Sequence, residues 1–142
     1  MPFKDIGFLK FIKNKCSSVD FIFKGDDDII IIPQNLAKEI QLIKDRPKIE
    51  AIGCMKGPDS VIREPLVKYY VPRQIYAPEF YPPYFSGAGY VMSRTFALKM
   101  EEQIDRKPVI PLDDTYIGTL IKAANITFVD NFRIFEPFSV NI

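Results

Sequence analysis

The chain has 142 residues, of which 47% are hydrophobic and 26% charged, a composition typical of a folded globular protein. Its net charge of +1 and its lack of a basic run argue against nucleic acid or an anionic membrane surface as a partner. No apolar segment approaches the length of a membrane span. The sequence has no histidine, which excludes Ser/His/Asp and Cys/His catalysis and zinc sites built on imidazole.

The first third of the chain alternates predicted helices and strands. Apolar spacing predicts a helix over residues 3–14 and a strand over 19–24. A second short apolar run, residues 29–32, is predicted to be an interior strand. Pro33 then occupies the first turn of a helix that runs to about residue 45, and residues 49–55 form another strand.

The remainder begins with a long irregular segment, residues 56–84, which contains seven prolines and glycines and five tyrosines. Such a segment is usually functional or a linker, and its aromatic content argues against a disordered linker. Residues 85–92 are a predicted strand, after which Ser93 can cap a helix. A helix over 113–125 and a strand over 126–129 follow. The alternation of strands and helices indicates an α/β fold.

The first group of candidate site residues is Asp26, Asp27 and Asp28, which separate two apolar runs. In an extended backbone Asp26 and Asp28 project to one face and Asp27 to the other. Two carboxylates on one face suit a hard cation such as Mg²⁺ or Mn²⁺. The alternative is a solvated acidic turn in which Gly25 supplies the bend.

The second group lies in KYYVPRQIYAPEFYPPYFSGAGYVMS, residues 68–93. Its tyrosines and prolines form rigid amphipathic walls that suit sugar rings. Gly87 and Gly89 flank a position where the backbone can approach a ligand closely. The alternative is a proline-rich surface loop whose tyrosines pack on the sheet.

The third group is Asp113 and Asp114 in DDTYIG, residues 113–118, which directly follow Pro111 and Leu112. Both acids can lie at a helix N-terminus, where the dipole favours negative charge and aspartate caps well. Capping explains one acid and leaves the other for proton transfer. A cap would place the helix start near Thr115.

The order of DDD, YPPYxSGxGYVxS and a D/E-D-x-Y-x-G helix start resembles the β-1,3-glycosyltransferases, which include β-1,3-galactosyltransferases, β-1,3-N-acetylglucosaminyltransferases and the related fringe proteins. The resemblance extends from about residue 8 to residue 129. It implies a GT-A-like, Rossmann-like α/β fold that is incomplete at the N-terminus. Residues 1–142 would then be part of a galactosyltransferase-type catalytic domain.

The resemblance also implies a role for each matching residue. The Asp triplet would hold Mn²⁺ (or Mg²⁺) and the diphosphate and ribose of a UDP-sugar, with Asp28 as a direct metal ligand and Asp26 as its companion. Asp114 would be the catalytic base and Asp113 its supporting acid. Asp27 would take part with the rest of the triplet in binding the nucleotide sugar. The remaining matched positions would line the donor and acceptor sugars, with Gly87 and Gly89 on the donor side; they are Tyr81, Tyr84, Ser86, Gly87 and Gly89.

The chain departs from the family pattern at three points. Phe85 stands where a cysteine is usual, which puts a bridge found in relatives in doubt, and Cys16 and Cys54 are compatible with one bridge or two buried thiols. Asp113 replaces the glutamate of many members and keeps the charge. Relatives also supply a metal-ligating histidine downstream of the last strand, and this sequence has none.

The implied reaction is an inverting displacement that moves galactose or N-acetylglucosamine from a UDP-sugar to an acceptor glycan hydroxyl. Family members are type II Golgi membrane proteins, so a signal anchor, a stem and a uridine-binding portion are expected upstream of residue 1. Two alternatives stay open: an inactive carbohydrate-binding fragment, and a glycoside hydrolase whose paired carboxylates need neither UDP nor metal.

One further motif is an N-glycosylation sequon formed by Asn125, Ile126 and Thr127. It is compatible with a secretory-pathway lumen. Such tripeptides arise often by chance, and this one abuts the strand predicted over residues 126–129.

Overall fold

The computed structural model describes residues 2–131, which form four α-helices and four β-strands. The mixture of helices and strands confirms the predicted α/β class. In chain order the elements are α1 (Pro2–Lys15), β1 (Phe21–Lys24), α2 (Pro33–Asp45), β2 (Ala51–Lys56), β3 (Tyr84–Ser93), α3 (Arg94–Glu101), a short 3₁₀ helix (Ile104–Arg106), α4 (Asp113–Ala124) and β4 (Phe128–Asp130).

The strands of the described residues form one small mixed sheet in the order β1-β3-β2-β4. The central strand β3 runs antiparallel to both β1 and β2, and β4 runs parallel to β2. Phe21 at the start of β1 pairs with Ser93 at the end of β3, and Lys24 pairs with Tyr90. The chain that leaves β1 therefore emerges beside the first half of β3.

Helices cover both faces of this sheet, so two separate hydrophobic cores form. The larger core packs α1, α3 and α4 on one face and includes Tyr90 and Met92 of β3. The smaller core packs α2 on the other face around Ile43, Ile52 and Val91. Tyr90, Val91 and Met92 alternate between the two cores because successive strand residues point to opposite faces.

Two local predictions about helix starts are confirmed. The Ser93 hydroxyl accepts a hydrogen bond from the backbone N–H of Phe96 at 3.1 Å, as expected of an N-cap serine. Pro33 occupies the first turn of α2, where its missing N–H costs no helical hydrogen bond.

The predicted strand over residues 29–32 is wrong. These residues form no strand, and Ile30 is 81% exposed, with Ile31 and Ile32 also exposed. A turn at Asp27 and Asp28 ends the extended backbone, and α2 begins directly afterwards at Pro33. The alternation of faces expected for the Asp triplet therefore does not hold, because it requires an extended backbone. The apolar run itself forms no strand, since a short apolar run specifies a strand only where a neighbouring strand can pair with it.

The irregular segment predicted over residues 56–84 is confirmed, and Arg63 holds it in place. Its guanidinium donates hydrogen bonds to the carbonyl oxygens of Val71 at 2.7 Å, Tyr76 at 2.9 Å and Pro78 at 2.6 Å. A planar group with several donors can bind successive carbonyls in this way. Arg63 thus ties three parts of the segment together, in addition to backbone hydrogen bonds such as that from the Val61 N–H to the Glu79 carbonyl oxygen at 2.8 Å.

The cysteines and Phe85 follow packing rather than a disulfide pattern. Cys16 packs against the larger core and Cys54 against the smaller one, and no disulfide joins them. Phe85 is buried and stacks on Tyr90 at a centroid distance of 4.5 Å. An aromatic cluster therefore occupies the position where the resemblance implied a cysteine.

Among residues 2–131, none of the helices combines the length and the hydropathy that crossing a membrane requires.

Candidate functional site

The Asp triplet lies just beyond the end of β1, and all three of its residues are exposed. The backbone N–H of Asp26 donates to the carbonyl oxygen of Gly87 at 3.1 Å, which ties the triplet to β3. A Cβ built on Gly87 would collide with the Asp26 carboxylate. Only glycine at this position leaves room for the acid to lie against the strand.

Asp113 and Asp114 are the first two residues of α4, and both are half-buried. The predicted position at a helix N-terminus is confirmed, and the helix dipole favours their negative charge. The expectation that one acid caps a helix starting near Thr115 is wrong. The helix begins at Asp113, and its N-cap residue, Leu112, makes no side-chain cap hydrogen bond.

Asp114 has a raised pKa. Burial contributes most, the ammonium of Lys24 partly offsets it, and the carboxylates of Asp26, Asp5 and Asp113 raise the pKa further. These charges come from α1, β1, residues 26–28 (the acid turn) and α4, which therefore meet around Asp114. A carboxylate with a raised pKa is a stronger proton acceptor than an ordinary aspartate.

Gly118 allows α4 to approach the start of β3. A Cβ at Gly118 would lie 2.8 Å from the Tyr84 Cβ and 2.9 Å from the Pro83 carbonyl oxygen. This close packing brings Tyr84 near the acid end of α4. Its hydroxyl donates to Asp59 Oδ2, and its pKa is raised mainly by burial, then by that hydrogen bond and by the charges of Asp59 and Asp114.

Sequence reasoning missed Asp5 and Lys24. Asp5 is only 3% exposed, and its Oδ1 pairs with the Lys24 ammonium at 3.1 Å. Lys24 also lies 5.8 Å from the centre of the Tyr90 ring. The signal that could have revealed Asp5 is its spacing. Asp5 precedes the buried Leu9 and Ile12 by four and seven residues, so it lies on the same buried face of α1 as they do.

The other matched residues of β3 are packed closely against β1. Gly89 has a φ of +122°, and a Cβ there would lie 2.6 Å from the Phe23 Cζ. Ser86 is buried, and its hydroxyl accepts a long hydrogen bond from the Ala88 N–H at 3.4 Å. Gly87 and Gly89 thus let β1 and its acid turn pack against β3.

Tyr81 lies apart from the acids. It is buried, stacks on Tyr76 at 5.3 Å, and lines a cavity of about 470 Å³ beside the C-terminal half of α4. The structure therefore brings Asp26, Gly87, Tyr84 and Asp114 to one region and leaves Tyr81 in another.

The acid turn can supply only some of the ligands that a metal ion needs. Within residues 2–131, no group of three or more His, Cys, Asp and Glu side chains is arranged to hold one. Mg²⁺-type ions need fewer protein ligands, because one or two carboxylates commonly act together with substrate phosphates. The exposed carboxylates of Asp26 and Asp28, with the space left by Gly87, fit such a site.

Comparison with known proteins gives a family match over most of the chain. Residues 1–131 match the family model described as galactosyltransferase. The rat protein named "UDP-GlcNAc:betaGal beta-1,3-N-acetylglucosaminyltransferase 7" is 33% identical over 139 residues, which are 95% of this chain and 34% of the relative.

Two human proteins are similar over the same length. "N-acetyllactosaminide beta-1,3-N-acetylglucosaminyltransferase 2" is 30% identical over 99% of this chain and 35% of its own length. "Acetylgalactosaminyl-O-glycosyl-glycoprotein beta-1,3-N-acetylglucosaminyltransferase" is 27% identical over 100% of this chain and 36% of its own length. The chain thus spans about a third of the length of the curated relatives it matches.

Proposed function

Because the chain belongs to the galactosyltransferase family, we propose that it forms part of the catalytic domain of a UDP-sugar-dependent β-1,3-glycosyltransferase. The names of its relatives favour N-acetylglucosamine as the sugar transferred and a β-galactose-terminated glycan as the acceptor. Galactose is the other candidate donor sugar. The domain would be of the GT-A type, membrane-anchored and on the lumenal side of the Golgi.

One observation carries this proposal: the acid turn and the first turn of α4 are close enough for their charges to interact. Gly87 makes room for Asp26, and the charge of Asp26 in turn raises the pKa of Asp114. A direct sugar transfer needs two different functions side by side. In the proposed mechanism one set of acids holds the donor's diphosphate through a cation, and another takes a proton from the acceptor.

In the proposed mechanism the acceptor hydroxyl attacks the anomeric carbon of the donor sugar, and the bond from that carbon to the UDP oxygen breaks. Asp114 takes the hydroxyl proton, and the configuration at the anomeric carbon inverts. The raised pKa of Asp114 supports this assignment because proton transfer is favoured when the base is not too weak. Asp113, its neighbour in the first turn of α4, is the supporting acid and adds a second negative charge beside the base.

The donor side of the proposal uses the acid turn. Asp28 and Asp26 would hold Mn²⁺ or Mg²⁺, which when bound neutralises the diphosphate charge of the leaving group. Asp27, Gly87 and Gly89 would contact the nucleotide sugar. Tyr84 and Ser86 would contact the sugars, whereas Tyr81 lies in a separate cavity and is not assigned to this contact.

A transfer assay on the complete gene product tests the proposal. UDP-N-acetylglucosamine and UDP-galactose are each supplied with a β-galactoside acceptor, with and without a chelator. We expect metal-dependent transfer, UDP release and a product with a β-1,3 linkage by NMR.

The same assay separates the alternatives. Hydrolysis of the glycan without UDP or metal would identify a glycoside hydrolase instead. Binding of UDP-sugar or glycan without turnover would identify an inactive carbohydrate-binding protein.

A further inference from the structure

The C-terminal end of α4 carries a sequon that the proposed transfer chemistry does not use. Asn125 ends the helix in the left-handed conformation, with φ 52° and ψ 53°. The strand predicted to begin at residue 126 begins at Phe128 instead. Asn125, Ile126 and Thr127 therefore form a turn between helix and strand, which is where a glycosylated sequon has to lie in a folded protein.

The turn exposes the two residues that define the sequon. Asn125 and Thr127 are exposed, whereas Ile126 between them is buried and anchors the turn. The Thr127 carbonyl oxygen also accepts a hydrogen bond from the Glu50 N–H at 2.9 Å, which fixes the backbone. A left-handed helix end explains an asparagine at this position, but it does not require a threonine two residues later.

A cavity adjoins Asn125, and its walls have the chemistry that suits a sugar. Its volume of about 470 Å³ lies within the usual range of small-ligand pockets, roughly 300–1,000 Å³. Asn125 lines it together with Pro58, Pro83 and Phe80, and Phe80 is 58% exposed. Tyr81 lines it as well, and the described residues supply no hydrogen-bond partner for its buried hydroxyl.

We propose that Asn125 is N-glycosylated and that the first sugars of its glycan cover this cavity, packing against Phe80. In the modification the Asn125 amide nitrogen bonds to C1 of the first sugar of a lipid-linked oligosaccharide diphosphate. The lipid diphosphate leaves, and the amide gives up one proton. The inference rests on the secretory-pathway location included in the proposed function.

Such a glycan would not obstruct the acid site. Asp114 and Asn125 lie at opposite ends of α4, about 16 Å apart along the helix axis at 1.5 Å per residue. A glycan at Asn125 therefore extends from the end of the helix that is remote from Asp26 and Asp114.

Mass spectrometry of the complete gene product from eukaryotic cells tests the modification. Glycan release by an amidase in heavy-oxygen water marks each occupied asparagine as a labelled aspartate. We expect the label at Asn125 in most molecules, with occupancy lost in Asn125→Gln and Thr127→Ala and retained in Thr127→Ser. Transfer activity should be unchanged in all three variants.

A thermal comparison tests the cavity. Thr127→Ala removes the glycan without altering the Asn125 cap, so the difference in Tm between Thr127→Ser and Thr127→Ala contains the contribution of the glycan together with that of the hydroxyl. We expect this difference to shrink when Phe80→Ala is added. Phe3→Ala is the control, because it removes a different exposed phenylalanine, which lies on α1. It should leave the Tm difference unchanged. An equal difference in both backgrounds would overturn the packing on Phe80.

A second sequon added at the C-terminus of the complete gene product separates the possible failures. If the added sequon is modified and Asn125 is not, glycosylation at Asn125 is wrong and the proposed function stands. If neither is modified, the inference fails together with the secretory-pathway location. Transfer activity, measured in parallel, tests the chemistry of the proposed function independently of both.

Discussion

The two acidic segments of this protein have similar sequences and different environments. Asp26, Asp27 and Asp28 lie exposed in a turn beyond β1, whereas Asp113 and Asp114 are half-buried in the first turn of α4. Exposed carboxylates can exchange water for a cation and a diphosphate. A half-buried carboxylate is poorly solvated when charged, which raises its pKa and makes it the better proton acceptor. In the proposed mechanism, environment rather than residue type assigns cation binding to one segment and proton transfer to the other.

The difference follows from where each segment joins the sheet. β1 is an edge strand, so the chain that leaves it turns into solvent. α4 instead packs onto the central strand β3 through Gly118, which leaves its first turn facing Tyr84, Lys24 and Asp26. Substitutions in the two segments should therefore have different effects, the largest of them at the half-buried pair.

Replacing Asp114 with asparagine should cause the largest loss. The amide keeps the shape of the side chain and cannot take the acceptor's proton, so we expect kcat in the complete catalytic domain to fall by about 10²–10⁴-fold. UDP-sugar affinity should stay near normal. Steady-state kinetics on the purified variant measure both.

Asp113→Asn is the matched control, because it removes one charge from the same helix turn. A larger loss at Asp113 would reverse the roles within the pair. Near-normal turnover in both variants would mean that the base lies elsewhere.

Asp28→Asn should instead weaken binding of the donor. An amide oxygen holds a hard cation less tightly than a carboxylate, so Mn²⁺-dependent affinity for UDP should fall by at least about tenfold, or roughly 1.4 kcal/mol. Calorimetric titration with Mn²⁺ and UDP measures the change. Asp20→Asn removes a charge just before β1 and should have no effect; equal affinities in the two variants would exclude Asp28 as a principal ligand.

Gly87→Ala should act on the same binding step to a smaller extent. The added methyl group would displace the Asp26 carboxylate, and we expect UDP affinity in the presence of Mn²⁺ to fall by roughly 1 kcal/mol, or about fivefold. Gly7→Ala is the control, since a Cβ there meets nothing within 4 Å. If Gly87→Ala binds UDP as the wild type does, the position of Asp26 does not matter for binding.

The smallest effect concerns stability. Because burial raises the pKa of folded Asp114 above its ordinary 3.8, the folded state holds this proton more tightly than the unfolded state. Stability is then lost as pH rises from the unfolded pKa through the folded one. Asp114→Asn removes this cost, so its Tm should match the wild type at pH values well below 3.8 and modestly exceed it near neutral pH.

Thermal melts of both proteins across this pH range test the prediction. A Tm difference that does not change with pH would show that Asp114 is no more costly to ionise in the folded protein than in the unfolded chain.

Sequence alone determined the α/β class, most element positions and the family. The helix starts at Pro33 and after Ser93 were predictable because they depend on local chemistry, namely a missing N–H and a capping hydroxyl. The family resemblance was also predictable from the sequence. It rests on the order of the three motifs along the chain, which does not depend on tertiary contacts.

Tertiary structure decided what depends on neighbours distant in sequence. Residues 29–32 have the composition of a strand, but no strand within residues 2–131 pairs with them, and residues 30–32 are exposed. Asp5 became part of the charged cluster only because the fold brings the start of α1 within reach of Lys24 at the end of β1. The two acidic segments look alike in the sequence because burial is decided by the fold, and burial is what distinguishes the proposed metal-binding acids from the proposed base.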